Sequence, residues 1–404
     1  MRRIILILIV LVLIAAMVFG IGYFILQSRK TTPATTNSTT TTQTTGGLPT
    51  DTGELTVISP PDGGTGTSEG TPLTGSGQSG ISVNPTVFID DNVFDYWVNK
   101  KENKIYYLNV DGKLKNQEGN VVIDQAFVDL NYLKASSDGT RIILAFGRPQ
   151  NTTFVMGDLI TNTFSSLPNT LAVAWHPTKP DQFVYFDNKQ TLNIADLTTK
   201  KITPLIIFNV TDVDLDWITA DEVLIKERAS SQFAASAWIY NIKTKLMSAF
   251  LNDVNGLMLQ YLPEIGSMLR LSATLNGNAA LDLLPYGKNL MATTSPLNNT
   301  QGIVSAVTLV SKNTLPGKCT VFLEKLFCAV FFQDHHLRPV SFMPDSYLRH
   351  ETYTVDGLIT LPDNSRLFTP SEREAYDMSH LIGYGKTLYF LNRYDNRVYK
   401  MDLE

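Results

Sequence analysis

The chain of 404 residues has little of what marks several common classes of function. It contains two cysteines and five histidines, and its net charge is only −5 at pH 7. A small negative charge spread along the chain offers no basic surface, so a nucleic-acid partner is not expected. From residue 85 onward there is neither the Gly-x-Ser-x-Gly elbow of serine hydrolases nor the His-Glu-x-x-His motif of zinc proteases. These absences predict no catalytic residue, no metal site and no cofactor.

Long uncharged and apolar runs are also rare, and the exception lies at the N-terminus. Residues 4–26 are uncharged and are flanked by Arg2-Arg3 and Arg29-Lys30. Such a run is long enough to cross a bilayer as a helix, so residues 1–30 are predicted to form a transmembrane anchor. A cleaved signal peptide is the alternative. It is disfavoured because the apolar run is too long and no small-x-small cleavage site follows it.

The tract after the predicted anchor is poor in apolar residues. Residues 31–84 are Thr, Ser, Gly and Pro almost throughout. This composition cannot bury enough apolar surface to offset chain entropy, so we predict a disordered linker with a reach of about 40 Å. The flanking charges barely orient the anchor. The linker and the cysteine pair described below favour a cytoplasmic N-terminus and an extracytoplasmic body, which makes a single-pass protein of the cell membrane.

The globular part, residues 85–404, contains a unit repeated about every 43 residues. The aromatic residues Tyr132, Trp175 and Trp217 are 43 and 42 residues apart, and Tyr261 lies 44 residues further on. Periods of this length are typical of propeller blades or of helical solenoids. Short runs rich in Val, Ile, Phe, Tyr and Trp, separated by turn residues and without helical periodicity, favour strands. We therefore predict an all-β propeller, with these aromatic residues packing between blades.

Counting units gives seven blades, or six if the weak first or fifth unit is not real. The predicted blades cover residues 84–124, 125–168, 169–207, 208–251, 252–296, 297–370 and 371–404. The last unit lacks an outer strand. Residues 87–89 can supply that strand, which would close the ring and remove two exposed sheet edges.

The sixth unit contains both cysteines of the chain. Residues 319–328 have the pattern of a hairpin with a short turn near Glu324. Such a turn places Cys319 and Cys328 on facing strands, close enough for a disulfide, which suits an extracytoplasmic body. Two buried free thiols are the alternative. The irregular loop that follows carries Phe342 and Tyr347, which are candidate interaction residues if exposed and packing residues against the hairpin if not.

Two groups of ionisable residues have alternative interpretations. Asp334-His335-His336 resembles a metal cluster, but adjacent strand residues point to opposite faces and the spacing does not suit a helix, so a surface loop is favoured. Asp212, Asp214 and Asp216 alternate along a predicted strand. They could line a cation site at one end of the channel, although the solvated face of a half-buried strand is the favoured interpretation.

Several motifs resemble a known group of propellers. The segment from Ser136 to Ile143 is similar to the "SPDGxxI" repeat of TolB-like, WD40-like bacterial β-propellers, with Ser137 where Pro is usual. Lys318-Cys319, Cys328-Ala329-Val330 and residues 343–347 resemble a "KCxW…YCAVP…PDxWY" stretch of membrane-anchored bacterial propeller proteins. The resemblance implies the fold and an envelope location, and it implies binding of partners rather than a known activity.

Two functions follow as hypotheses. The first is a membrane-tethered binding or scaffold module whose loops contact an envelope protein, a peptide or a glycan. The alternative is a glycan hydrolase or lyase with two carboxylates in the channel, one of them with a raised pKa.

Overall fold

The computed structural model describes residues 83–403 with nine gaps, at 149–150, 211, 229–232, 274–278, 287–306, 311–313, 333–345, 348–349 and 362–364. Within these residues the chain forms seven antiparallel sheets of four strands each. Six sheets are built from consecutive strands, and the seventh joins both ends of the described chain. The fold is thus a seven-bladed propeller, and the weak first and fifth units are real blades.

The strands run in chain order from the closing strand β1, Thr86–Ile89. Blades 1 to 3 comprise β2 (Val93–Asn99), β3 (Lys104–Asn109), β4 (Leu114–Asn116), β5 (Val121–Ile123), β6 (Leu130–Ala135), β7 (Arg141–Phe146), β8 (Thr153–Asp158), β9 (Thr163–Ser166), β10 (Thr170–Trp175), β11 (Gln182–Asp187), β12 (Thr191–Asp196) and β13 (Lys201–Ile207). Blades 4 to 6 comprise β14 (Val213–Thr219), β15 (Glu222–Glu227), β16 (Ala234–Asn241), β17 (Leu246–Asn255), β18 (Met258–Leu262), β19 (Ser267–Ala273), β20 (Ala279–Pro285), β21 (Val307–Val310), β22 (Cys319–Phe322), β23 (Lys325–Phe331), β24 (Asp356–Leu361) and β25 (Ser365–Phe368). Blade 7 comprises β26 (Met378–Tyr384), β27 (Thr387–Asn392), β28 (Arg397–Asp402) and β1.

A recurring polar residue ends the third strand of blades 2, 3 and 4. The side chains of Asp158, Asp196 and Asn241 each accept a hydrogen bond from a backbone N–H two or three residues later, at 2.8–2.9 Å. Short polar side chains favour such turns because they replace a backbone acceptor. The turns then pass through left-handed residues, for example Asn162 (φ 52°) and Lys200 (φ 55°). Each of these three side chains therefore ends a strand and begins a turn.

The ring is closed by the strand predicted to close it. β1 pairs with β28, and Val87 lies opposite Tyr399 in the register. Ile89 and Val398 are both buried, in a cluster shared by blades 7 and 1. The closure covers an edge of β28 that would otherwise present unpaired backbone groups.

The limits of the fifth and sixth blades differ from prediction. β21 belongs to blade 5, although it falls inside the predicted sixth unit, and blade 6 begins only at β22. The segment between β20 and β21 is much longer than the turns of the other blades, so counting by a fixed period assigned β21 to the wrong blade.

Tryptophan side chains connect neighbouring blades. The indole N–H of Trp175 donates to the carbonyl oxygen of Lys134 at 2.8 Å, and that of Trp97 donates to the carbonyl oxygen of Gly139 at 3.0 Å. Both side chains are buried. The predicted packing between blades is confirmed for Trp175, and Trp97 has the same role, but the equivalence of Tyr132 and Trp175 is wrong. Tyr132 lies in the middle of β6, whereas Trp175 ends β10.

Within the described residues, no helix is both long enough and apolar enough to cross a bilayer. The predicted anchor at residues 4–26 lies outside those residues, as does the predicted linker apart from its last two residues.

Removal of the closing strand should destabilise the whole ring. A chain that lacks residues 1–89 loses β1, and the loss of the buried Ile89 side chain alone is worth about 2–5 kcal/mol. The exposed edge of β28 should also promote self-association. Thermal unfolding and light scattering should show a lower melting temperature and higher oligomers than a control chain that lacks only residues 1–82. Equal stability of the two chains would contradict the closure.

Candidate functional site

The two cysteines form the predicted disulfide within one hairpin. β22 and β23 are joined by Leu323 and Glu324, which both have positive φ, as in the tight turns that suit the twist of a hairpin. Cys319 lies directly opposite Cys328, with the Cα atoms 4.1 Å apart and the sulfurs bonded. This short distance is typical of a pair without backbone hydrogen bonds between its members. The alternative of two free thiols is wrong.

A buried ion cluster lies beside this hairpin and is defined by Lys318, Asp356, Asp377 and Arg393. The ammonium of Lys318 donates to Asp356 Oδ2 at 2.5 Å, to Asp377 Oδ1 at 2.8 Å and to Thr354 Oγ1 at 2.6 Å. Arg393 reaches the other oxygen of Asp377 at 3.2 Å. Lys318 and Asp356 belong to blade 6, and Asp377 and Arg393 flank strands of blade 7. The cluster therefore joins two blades through four buried charges that sum to zero.

The pKa values of the two aspartates of this cluster are shifted in opposite directions. Burial raises the pKa of Asp356 to about 6, and the neighbouring Asp377 carboxylate adds to the effect while Lys318 opposes it. Burial also tends to raise the pKa of Asp377, but Lys318 and Arg393 overcome it and hold that pKa below its usual value. Since an unpaired buried charge is costly, the cluster depends on having all four members.

Tyr347 completes the interior of this region. Its side chain is 6% exposed. The centroid of its ring lies 3.7 Å from the guanidinium carbon of Arg393 and 4.8 Å from Lys318 Nζ. Its hydroxyl donates to Asp377 Oδ1 at 2.8 Å. The structure thus places Tyr347 in the core with the disulfide rather than on a surface. The other candidate interaction residue, Phe342, lies outside the described residues.

A channel ion cluster, defined by Lys134, Asp214, Asp216 and Lys226, lines the axis on the side of blades 2 to 5. Lys134 Nζ lies 2.8 Å from Asp214 Oδ1, and Lys226 Nζ lies 2.5 Å from Asp216 Oδ2. The two lysines occupy the positions that a cation would take between the carboxylates. They hold the pKa of Asp214 well below its usual range, although burial alone would raise it. Asp212 is separate, exposed and paired with Arg228.

The inner strands of six blades end around one cavity of about 550 Å³, which we call the channel mouth. Its volume lies within the range of small-ligand sites in proteins. Apolar and aromatic walls surround a few polar side chains, which is also typical of such sites. The main side chains that line it are Trp97, Lys100, Lys134, Trp175, Asp216, Trp217, Gln260, Tyr261 and His380.

His380 is the most unusual residue of the channel mouth. It has positive φ (49°), at an irregularity in the pairing of β26 with β27. Its Nδ1 contacts Asp95 of blade 1, and its carbonyl oxygen accepts a hydrogen bond from the Tyr96 hydroxyl at 2.6 Å. Burial alone would lower the pKa of His380, but the Asp95 carboxylate outweighs it and the pKa is raised. Strained backbone of this kind often accompanies function.

Sequence reasoning missed several members of these sites. Lys318, Cys319 and Tyr347 lie in the segments that resemble other propellers, and the structure brings the three together. Asp377 and His380 belong to no motif that the sequence analysis identifies. Asp334-His335-His336 lies outside the described residues. Within the described part of the chain, no group of three or more metal-ligating side chains assembles.

A second groove lies at the opposite end of the inner strands, between blades 2 and 4. Its volume is about 470 Å³, and the segments that precede β8 and β10 line it together with the exposed pair of Asp212 and Arg228. Several neighbouring residues, including 149–150 and 229–232, lie outside the described residues. More blades and more buried side chains contribute to the channel mouth than to this groove.

Comparison with known proteins bears on the fold alone. No family model and no curated protein matches the chain. The β-propeller domain of Cps50 (Swd1) from Myceliophteria thermophila matches with a TM-score of 0.51 and 10% identity, over 80% of this chain and 100% of that domain. The tricorn protease matches with a TM-score of 0.45 and 10% identity, over 78% of this chain and 33% of that one. This chain therefore spans about a third of the length of the tricorn protease.

Substitution of Lys318 by Met should destabilise the protein in a pH-dependent way. Breaking a buried ion pair costs roughly 3–5 kcal/mol. Asp356 already has a folded pKa of about 6 against an ordinary 3.8, so its contribution to stability falls as the pH rises through 6. Without Lys318 that fall should continue to higher pH, at up to about 1.4 kcal/mol per pH unit. Urea unfolding at pH 5 and pH 8 should show the larger loss at pH 8.

The matched control for this substitution is Lys325→Met, on an exposed position of the same hairpin. It should change the free energy of unfolding by less than about 0.5 kcal/mol at either pH. A Lys318→Met variant with an equal loss at both pH values would show that Asp356 does not titrate as described.

Removal of the disulfide should cost a moderate amount of stability. The bond closes a short loop with a sequence separation of 9 residues, for which chain entropy gives about 2–3 kcal/mol. The double variant Cys319→Ala, Cys328→Ala should unfold at lower urea concentration by this amount. Reductant should lower the wild type to a similar stability and leave the variant unchanged. An unchanged wild type under reductant would contradict a stabilising bond.

Proposed function

We propose that this protein is a binding module of the cell envelope. The propeller is the binding part, residues 4–26 are its membrane anchor, and residues 31–84 form the tether between them. The N-terminus lies in the cytoplasm and the propeller lies outside it. The module binds its partner, a protein, peptide or glycan of the envelope, at the channel mouth.

Two features support the extracytoplasmic location. The disulfide between Cys319 and Cys328 belongs to an oxidising compartment, since thiols in the cytoplasm are kept reduced. The uncharged run at residues 4–26 followed by a tract rich in threonine is the pattern of an anchor with an exposed stalk.

The observation that carries the binding role is the construction of the channel mouth. Six blades contribute to one cavity of about 550 Å³, and its polar groups come from opposite sides of the ring. Rigid strands hold these groups, so a ligand would meet a site that is largely preformed.

The geometry does not favour the enzymatic alternative. A glycosidase needs two accessible carboxylates, one of them able to donate a proton. In the channel, Asp214 and Asp216 are both paired with lysines. Asp356 has its pKa raised to about 6, but it is fully buried between two blades.

The location can be tested in intact cells that express the full chain. Thiol labelling with a membrane-impermeant reagent should mark Cys319 and Cys328 only after reduction, and added protease should cleave the chain from outside. Labelling that needs lysed cells but no reductant would place the propeller in the cytoplasm and overturn the proposal.

The binding role can be tested by thermal shift on the purified full chain. A panel of short peptides and oligosaccharides should contain a class that raises the melting temperature, because a ligand that binds only the folded state stabilises it. Ser137→Trp, which fills the channel mouth, should abolish the shift. Ser165→Trp, on an exposed outer strand, should leave it intact. A shift that survives Ser137→Trp would move the binding site elsewhere.

A further inference from the structure

We infer that Lys318 and Asp356 form an intramolecular amide bond, in which the lysine side-chain nitrogen is joined to the aspartate carboxyl carbon with the loss of one water. The inference concerns a covalent modification within blade 6 and does not depend on the channel mouth. Three features carry it: the contact between the two reacting groups, the burial of their charges and a second carboxylate, that of Asp377, in contact with the same nitrogen.

The two groups are held in position for this reaction by neighbouring segments of blade 6. Lys318 ends a short 3₁₀ helix, Pro316–Lys318, that leads directly into β22, and Asp356 begins β24. Lys318 Nζ lies 2.5 Å from Asp356 Oδ2. A carbon–oxygen bond of about 1.2 Å then places the carboxyl carbon no more than about 3.7 Å from the nitrogen. Groups held this close react with effective molarities of about 10⁵–10⁸ M, so a condensation that is unfavourable between free groups becomes favourable.

The burial of both charges favours a product that lacks them. The side chains of Lys318 and Asp356 are 2% and 0% exposed. Taking two charges out of water is costly, and their mutual attraction offsets that cost only in part. The amide removes both charges and leaves Asp377 paired with Arg393 at 3.2 Å, so the remaining charges still sum to zero.

The hydrogen bonds around Asp356 distinguish its two oxygens. Oδ2 accepts from Lys318 and from the backbone N–H of Met378 at 2.8 Å. A backbone N–H in this position stabilises the negative charge that develops on the oxygen when a nucleophile attacks the carbon. Oδ1 is buried and has no hydrogen-bond partner among the described residues. Oδ2 therefore stays as the amide oxygen, and Oδ1 leaves as water.

The reaction begins with a proton transfer within the ion pair. Burial alone would lower the pKa of Lys318, but Asp356 and Asp377 outweigh it and keep the ammonium form dominant. Burial raises the pKa of Asp356 to about 6, so Asp356 is the aspartate that takes one proton from Lys318. This transfer gives a minor neutral pair of amine and carboxylic acid, and the amine nitrogen attacks the carboxyl carbon.

Asp377 accepts the second proton. Burial tends to raise its pKa, but Lys318 and Arg393 hold it below its usual value, and its Oδ1 lies 2.8 Å from Lys318 Nζ. As the carbon–nitrogen bond forms, Asp377 takes a proton from the nitrogen and returns it to the Oδ1 hydroxyl, which leaves as water when the carbon–oxygen bond breaks. No further reactant is consumed. The buried site excludes the water that hydrolysis would need, so the amide accumulates.

The ion cluster described above is the state of the folded chain before this reaction. In the linked chain Asp356 no longer titrates, whereas in the Lys318→Met variant it still does. The larger loss of stability at pH 8 is therefore expected whether the variant is compared with the linked or the unlinked chain.

Mass spectrometry of the purified full chain, after reduction, alkylation and digestion with trypsin, tests the inference. An unlinked chain is cleaved after Lys318 and releases residues 350–366 as a separate peptide. The linked chain should give one branched species, in which residues 313–325 are joined to residues 350–366 with the loss of one water, about 18 Da. Complete cleavage after Lys318, with residues 350–366 recovered only as a free peptide, would overturn the inference.

The channel ion cluster supplies a matched control in the same digest. Lys226 Nζ and Asp216 Oδ2 are also 2.5 Å apart, but these side chains are 16% and 32% exposed. Because water reaches these charges, the peptide of residues 202–226 should be cleaved after Lys226 and should show no loss of water. A link at both pairs would overturn burial as the cause of the reaction.

Variants test the role of Asp377 as the proton acceptor. Loss of a general base slows a reaction about 10²–10⁴-fold, so Asp377→Asn should form the branched species at least tenfold more slowly than the wild type. The readout is the time course of branching in folded protein, because a merely structural role would lower the yield of folded protein without slowing the reaction. Branching at the wild-type rate would show that Asp377 does not accept the proton. Lys318→Arg should give no branched species, and Lys325→Met, at an exposed position, should branch like the wild type.

Discussion

The structure depends on one constraint: a four-stranded blade has two apolar faces and cannot cover either by itself. Each blade must be packed between two others, so the ring has to close. Among the described residues, no covalent bond closes the ring. Strand pairing between β1 and β28 closes it together with polar groups that lie between blades. The ion cluster of Lys318, Asp356, Asp377 and Arg393 joins blades 6 and 7, and the contact of His380 with Asp95 joins blades 7 and 1.

The same contacts shape the channel mouth. On one side, Lys134 and Lys226 neutralise Asp214 and Asp216. On the other side, Asp95 holds His380 in a strained backbone conformation with its side chain partly exposed. Interactions that hold the blades together thus also place charged side chains in the lining of the channel mouth. The residues that stabilise the ring therefore also line the proposed binding site.

Much of the fold could be predicted from the sequence, because its signals are local. Turn residues such as Asp158 and the hairpin between Cys319 and Cys328 act over a few residues, and the repeat of about 43 residues is visible along the chain itself. The sites are different. Lys318 meets Asp377 across 59 residues, and Asp95 meets His380 across 285. No local pattern predicts such contacts. The sequence therefore indicates neither the role of His380 nor the lysines that pair with the aspartates of β14.

The most direct measurement is a crystal structure of the full chain with a ligand that raises its melting temperature. The account predicts electron density for that ligand in the channel mouth. Ligand density in the groove beside Asp212 and Arg228, with an unoccupied channel mouth, would contradict it. That result would place the binding surface at the opposite end of the inner strands.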